Sequence, residues 1–112
     1  MPCPESFFLQ YLETAAWAES SNEDDFESHE FSKEALAIMR ADCDAFYDDN
    51  QEAIDRYDYE RCGHDFWLTR NGHGAGFWDG DYPKEDGDKL TEASKAFGET
   101  WLAIGDDGLI YC

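Results

Sequence analysis

The sequence predicts an α+β fold, with three helices packed on a small antiparallel sheet of about four strands arranged as two hairpins. Apolar residues recur at intervals of three and four through residues 8–16 and 36–57, the spacing that gives a helix one buried face. Two aromatic runs, residues 64–70 and 75–79, flank Asn71-Gly72-His73-Gly74, residues that tolerate the positive φ angles of a hairpin reversal. A second turn signal, Gly105-Asp106-Asp107-Gly108, separates the apolar runs 101–104 and 109–112.

Each element has its own local reason. Prolines at positions 2 and 4 suit a helix start, and Phe8, Leu12, Ala15 and Ala16 give residues 4–19 an apolar stripe. The pattern stops over residues 20–31, where five acids and no base read as an exposed acidic loop. Ser32 is the expected N-cap of a long helix, with Glu34 in the first turn where the helix dipole favours negative charge. Leu36, Met39, Cys43, Phe46, Asn50, Ile54 and Tyr57 form its inner stripe. Gly63 ends that pattern and opens the central hairpin. Alternation puts Phe66 and Leu68 on one face and Asp65, Trp67 and Thr69 on the other, so both faces carry large apolar groups. Residues 79–88 read as an acidic, turn-rich connection; Asp88 or Thr91 then caps a short third helix with Leu90, Ala93 and Phe97 inside and Gly98 at its end.

A chain of 112 residues supports one hydrophobic core, so residues 1–112 are expected to form a single domain. Aromatics at 16% argue against disorder despite 27 acidic against 8 basic side chains and a formal charge of -19. Carboxylates repel phosphates, so direct binding to nucleic acid or to an anionic membrane is excluded as the main activity, and a basic partner is expected. The opening Met-Pro-Cys-Pro-Glu lacks the basic and apolar regions of a secretion signal, which points to the cytoplasm. Cys3, Cys43, Cys62 and Cys112 lack close pair spacing and are expected as reduced thiols, with no metal and no other cofactor.

Motif tests remove several activities. Counting Asp79 as the first position of a calcium loop puts Pro83 at the fifth and Leu90 at the twelfth, where oxygen ligands are needed. Residues 72–76 lack the Lys-Ser/Thr ending of a phosphate loop, and no nucleophile elbow surrounds a serine. His64, Asp65, His73 and Asp79 are the candidate centre of an alternative reading, a small metal-dependent hydrolase built on the 63–79 hairpin. Adjacent strand residues point apart, however, so His64 and Asp65 converge only at a bulge. A further alternative is an interaction module or homodimer joined through an uncovered sheet face bearing Trp67.

The run Gly-His-Asp-Phe-Trp-Leu-Thr-Arg-Asn-Gly-His-Gly-Ala-Gly-Phe-Trp-Asp at 63–79 and the run Gly-Asp-Asp-Gly-Leu-Ile-Tyr at 105–111 resemble a family of small acidic bacteriophage-encoded proteins of unassigned function. Ala41-Asp42-Cys43 is similar to that family as well. The resemblance implies a phage or prophage product acting in the bacterial cytoplasm, and it carries over no catalytic residues. Small acidic phage proteins include DNA-imitating inhibitors of restriction and CRISPR defences, an analogy of charge and origin. The expected function is therefore a non-enzymatic inhibitor that occupies the DNA-binding surface of a host defence protein, a CRISPR effector complex or a restriction enzyme. Its candidate binding residues are Asp44, Asp48, Asp49, Glu52 and Asp55 on the long helix, with Asp24, Asp25, Asp86 and Asp88.

Overall fold

Helices carry the architecture, and the expected sheet of about four strands is not formed. The computed structural model describes residues 2–79 and 82–112. Gly80 and Asp81, within the acidic connection expected over 79–88, lie outside the described residues, as does Met1. Among the described residues the elements are α1 (Glu5–Glu19), α2 (Lys33–Ile54), α3 (Tyr59–Arg70), α4 (Lys84–Lys95) and a two-stranded antiparallel sheet of β1 (Ala103–Ile104) and β2 (Ile110–Tyr111). Phe26–Ser28 add a single 3-10 turn inside the loop after α1.

The first part of the chain follows its apolar periodicity. In α1, Phe7, Phe8, Tyr11, Ala15 and Ala16 are buried, and in α2 the buried stripe is Ala35, Met39, Cys43, Phe46, Tyr47, Asn50, Ala53 and Ile54. Ser32 caps α2 by accepting from the Ala35 amide at 3.0 Å. The expected central hairpin is instead α3 and the turn that follows it. Asp58 caps this helix by accepting from the Glu60 amide at 3.1 Å. At its other end, the Gly72 amide donates to the Thr69 carbonyl and the His73 amide to the Leu68 carbonyl. With Gly72 at φ 70°, these two bonds make the Schellman closure of a helix. Asn71-Gly72 thus ends a helix rather than reversing a strand.

α3 is buried nearly all round in its second half, from Asp65 to Arg70. A helix enclosed on every side shows no apolar stripe, so its period was hidden, and its aromatic run has the composition of a strand. Phe66 stacks on Phe46 with ring centroids 4.0 Å apart, and Tyr11 packs on both Phe66 and Trp67. Gly63 makes the contact between α1 and α3 close: a Cβ there would run into the Phe7 carbonyl oxygen and lie 3.3 Å from the Tyr11 nitrogen. Trp67, on the next turn, reaches Glu19. α1 and α3 therefore run in the same direction. α2 runs against both, because Arg40 and Asp44 reach back to Glu5 and Cys3. Trp67 is fully buried, so the uncovered sheet face proposed as a homodimer surface does not exist.

α4 begins at Lys84, directly after Pro83, rather than at the expected caps Asp88 or Thr91. The C-terminal hairpin is present with strands shorter than expected, pairing Ala103 with Tyr111 and Ile104 with Ile110. Ile110 also exchanges backbone hydrogen bonds with residues 30 and 32 at 2.8 and 2.9 Å and packs with Ala16 and Phe26. That tether fixes the start of α2 beside the end of α1. Cys3, Cys43 and Cys62 are buried free thiols, and Cys112 is an exposed one.

Candidate functional site

The candidate acids occupy two ends of the molecule. Asp24 and Asp25 are exposed on the loop after α1, where α2 begins. Asp48, Asp49, Glu52 and Asp55 are exposed at the far end of α2, a helix of 22 residues spanning roughly 33 Å. The first turns of α4 join this second group, because both carboxylate oxygens of Asp86 accept from Arg56 Nη1 at 2.9 Å. Asp88 follows half a turn later.

Several of the candidate acids, exposed ones among them, are engaged within the fold. Asp44 is half-buried and accepts from the Cys3 amide at 2.8 Å. Asp55 accepts from the Tyr47 and Tyr59 hydroxyls at 2.7 and 2.8 Å, bonds that hold its carboxyl below the usual range. Asp86 is lowered in the same way, first by the Tyr57 hydroxyl and then by Arg56. Asp88 pairs with Lys84 at 2.7 Å. The helix that carries Asp44, Asp48, Glu52 and Asp55 is interrupted at Asn50, whose backbone leaves the helical region at φ -128°, ψ 19° and whose side chain donates to the Phe46 carbonyl at 2.9 Å. Asparagine competes for helix carbonyls in this way.

Several cations pair with carboxylates of the chain, although only Arg70 is buried in doing so. Arg40 pairs with Glu5 at 2.9 Å, Arg70 with Asp42 at 2.8 Å, Arg56 with Asp86 at 2.9 Å and Glu52 at 3.5 Å, and Lys84 with Asp88 at 2.7 Å. Exposed carboxylates still far outnumber the exposed Lys and Arg side chains, so the surface keeps a large negative excess. Within the described residues only Asp65 among the acids is buried, with Glu19, Asp42, Asp44 and Asp86 half-buried.

The hydrolase residues meet in part. A cleft of about 470 Å³ lies between the start of α3 and the loop after it, lined by Asp58, Arg61, His64, Asp65 and Asp79 with Gln10 and others. On a helix, consecutive residues are about 100° apart, so His64 and Asp65 both reach this cleft, which a strand would not permit. His64 Nδ1 lies 2.9 Å from Thr14 Oγ1. Asp65 accepts from the Tyr82 hydroxyl at 2.7 Å, and burial pushes its pKa up. Burial likewise pushes the neighbouring Cys62 thiol up to about 12. His73 is elsewhere: its Nε2 lies 2.6 Å from Glu19 Oε2, which also accepts from the Trp67 indole at 3.0 Å. Among the described residues no group of three or more His, Cys, Asp or Glu side chains is placed to hold a metal ion.

No family model matches the chain, and no curated protein or solved structure matches it. No helix among the described residues is long and apolar enough to cross a membrane. Sequence reasoning missed Asp58 and Arg61 as cleft residues; the spacing of Asp58 before Glu60, a helix-start pattern, was the available signal. It also missed the exposed indole of Trp17 on α1, for which the interrupted apolar stripe was the only hint.

Proposed function

We propose that this chain is a non-enzymatic, phage-encoded inhibitor that acts in the bacterial cytoplasm by occupying the DNA-binding surface of a defence protein. The observation that carries this reading is the exposure of most carboxylates in a chain of net charge -19, where they far outnumber the exposed Lys and Arg side chains. Such a surface presents a large excess of negative charge to Lys and Arg side chains that otherwise track phosphates. Asp48, Asp49, Glu52 and Asp88, all exposed, form one end of the contact, where Glu52 and Asp88 would exchange Arg56 and Lys84 for cations of the partner; Asp24 and Asp25 reach a separate part of the partner. Asp44, Asp55 and Asp86 hold the scaffold more than they meet the partner, given their bonds to Cys3, to two tyrosines, and to Arg56 and Tyr57. Charge complementarity of this kind raises the association rate and selects against acidic partners.

The test is retention of defence proteins from a nuclease-treated bacterial lysate on the immobilised chain, eluted in salt steps. The reading predicts one DNA-binding restriction or CRISPR protein that duplex DNA displaces. Many basic proteins leaving together at low salt contradict it, since that is the behaviour of an unspecific field. A second reading, a hydrolase centred on the cleft, draws on the convergence of His64, Asp65 and Asp79. Ester or phosphoester turnover abolished by His64→Ala, with Asp48, Asp49 and Glu52 neutralisation without effect, would replace the inhibitor reading.

A further inference from the structure

α1 turns Leu9, Glu13 and Trp17 outward, and Trp17 leaves 58% of its surface exposed. Single exposed apolar residues are common and carry no meaning by themselves. Trp17, however, is the shared wall of two hollows. One, of about 320 Å³, is walled by Ala16, Trp17, Phe26 and Phe31 and rimmed by Glu13 and Glu27. The other, of about 360 Å³, is lined by Trp17 with Leu68, His73 and Ala75. The larger surroundings decide what fits there. The first hollow opens beside residues 23–30, which carry five acids and no Lys or Arg, and His29 is part of its lining. Its volume of about 320 Å³ leaves room for one large apolar side chain.

A second copy of this chain is a poor occupant, because it brings the same net charge of -19 to an acidic rim. A basic segment matches the rim, and an apolar side chain matches the walls. We propose that the Trp17 groove docks a basic segment of a partner protein, which inserts one apolar side chain beside Trp17 while its Lys or Arg residues meet Glu13, Glu27 and the acids of residues 23–30. This rests on the reading that the partner is basic, but not on that partner being a DNA-binding protein. It adds an anchor to an otherwise diffuse contact: charge alone supplies encounter, and a buried apolar group supplies residence.

The experiment uses the full chain, labelled with ¹⁵N, and two basic hexapeptides as probes, Lys-Arg-Ala-Leu-Arg-Lys and the same peptide with Ala in place of Leu. At physiological salt the leucine peptide should bind about tenfold or more tightly than its alanine counterpart. Its shifts should centre on the Trp17 indole, Ala16, Phe26 and Phe31. Trp17→Ala should remove the preference for leucine. Because the Trp17 ring also lies 6.1 Å from the His64 ring, a second variant, Glu13→Gln with Glu27→Gln, tests the groove through exposed rim positions. That variant should weaken both peptides and keep the preference for leucine. Equal affinity for the two peptides, or shifts centred on Asp48 and Asp49, would overturn the proposal. So would a mass in solution that rises with protein concentration together with shifts at Trp17, which would assign the groove to a second copy. Neutralising Asp48, Asp49 and Glu52 leaves the preference for leucine intact if the groove is real, whether or not the chain competes with DNA.

Discussion

Gly63→Ala is the substitution most sensitive to the way α1 and α3 pack. On an exposed helix this change is favourable by about 1 kcal/mol, because alanine has the lower backbone entropy cost. Here the new methyl would meet the Phe7 carbonyl oxygen and lie 3.1 Å from the Phe7 carbonyl carbon, both backbone atoms of α1. A side chain can rotate away, but a helix backbone must move as a unit and carry Tyr11 and its contacts to Phe66 and Trp67 with it. Overpacking of this kind costs about 1–3 kcal/mol net. At this chain length that corresponds to a fall in Tm of about 4–12 °C. Gly74→Ala is the control, since a Cβ there meets nothing within 4 Å. Urea and thermal unfolding followed by circular dichroism measure both. Gly63→Ala that is neutral or stabilising would refute the close approach of the two helices, and with it the assignment of residues 59–70 to a helix rather than a strand.

Three other outcomes follow from the same structure. Arg70 is almost fully enclosed, donating to Asp42, to the Tyr11 hydroxyl and to the carbonyls of Phe97 and Gly98, so Arg70→Met should cost about 3 kcal/mol. A double-mutant cycle with Asp42→Asn should recover part of that loss. The carboxyl of Asp65 is raised by burial, so its contribution favours folding below the usual carboxylate range and is lost as pH rises through the raised folded value. Asp55, Asp86 and Asp107 are lowered by tyrosine hydroxyls, and their contributions are present above that range and lost as pH falls through the lowered folded values. Asp65→Asn, which keeps an acceptor for Tyr82, should therefore raise stability at neutral pH and flatten the profile just above the carboxylate range, as read by denaturation across pH. Finally, Tm should rise as salt contracts the Debye length from about 30 Å at 0.01 M to about 8 Å at 0.15 M, because most exposed carboxylates face like charge; a flat response would mean that the surplus is neutralised.

The helices that were legible are those with one wet face. α1 and α2 present apolar residues at helical spacing against a polar remainder, and Ser32 advertises the start of α2. α3 was illegible because Asp65, Phe66, Trp67, Leu68, Thr69 and Arg70 are all buried, which erases the contrast that periodicity depends on. The Asn71-Gly72 pair added to the misreading, since a left-handed glycine serves a helix terminus as well as a hairpin turn. The start of α4 was hidden by Asp and Gly residues that also make turns. The acids were legible as a surplus, but not their division of labour. Only the folded chain shows that Tyr47 and Tyr59 bond Asp55, that Cys3 bonds Asp44, and that Arg56 lies 3.5 Å from Glu52.

Competition with DNA tests the account most directly. A defence protein retained by the chain is bound to labelled duplex, and fluorescence anisotropy follows the duplex as the chain is added. The account predicts that the chain releases the duplex, that added salt weakens the release, and that replacing Asp48, Asp49 and Glu52 by their amides reduces it. A complex in which chain and duplex are held together, or release unchanged by those replacements, would contradict DNA mimicry.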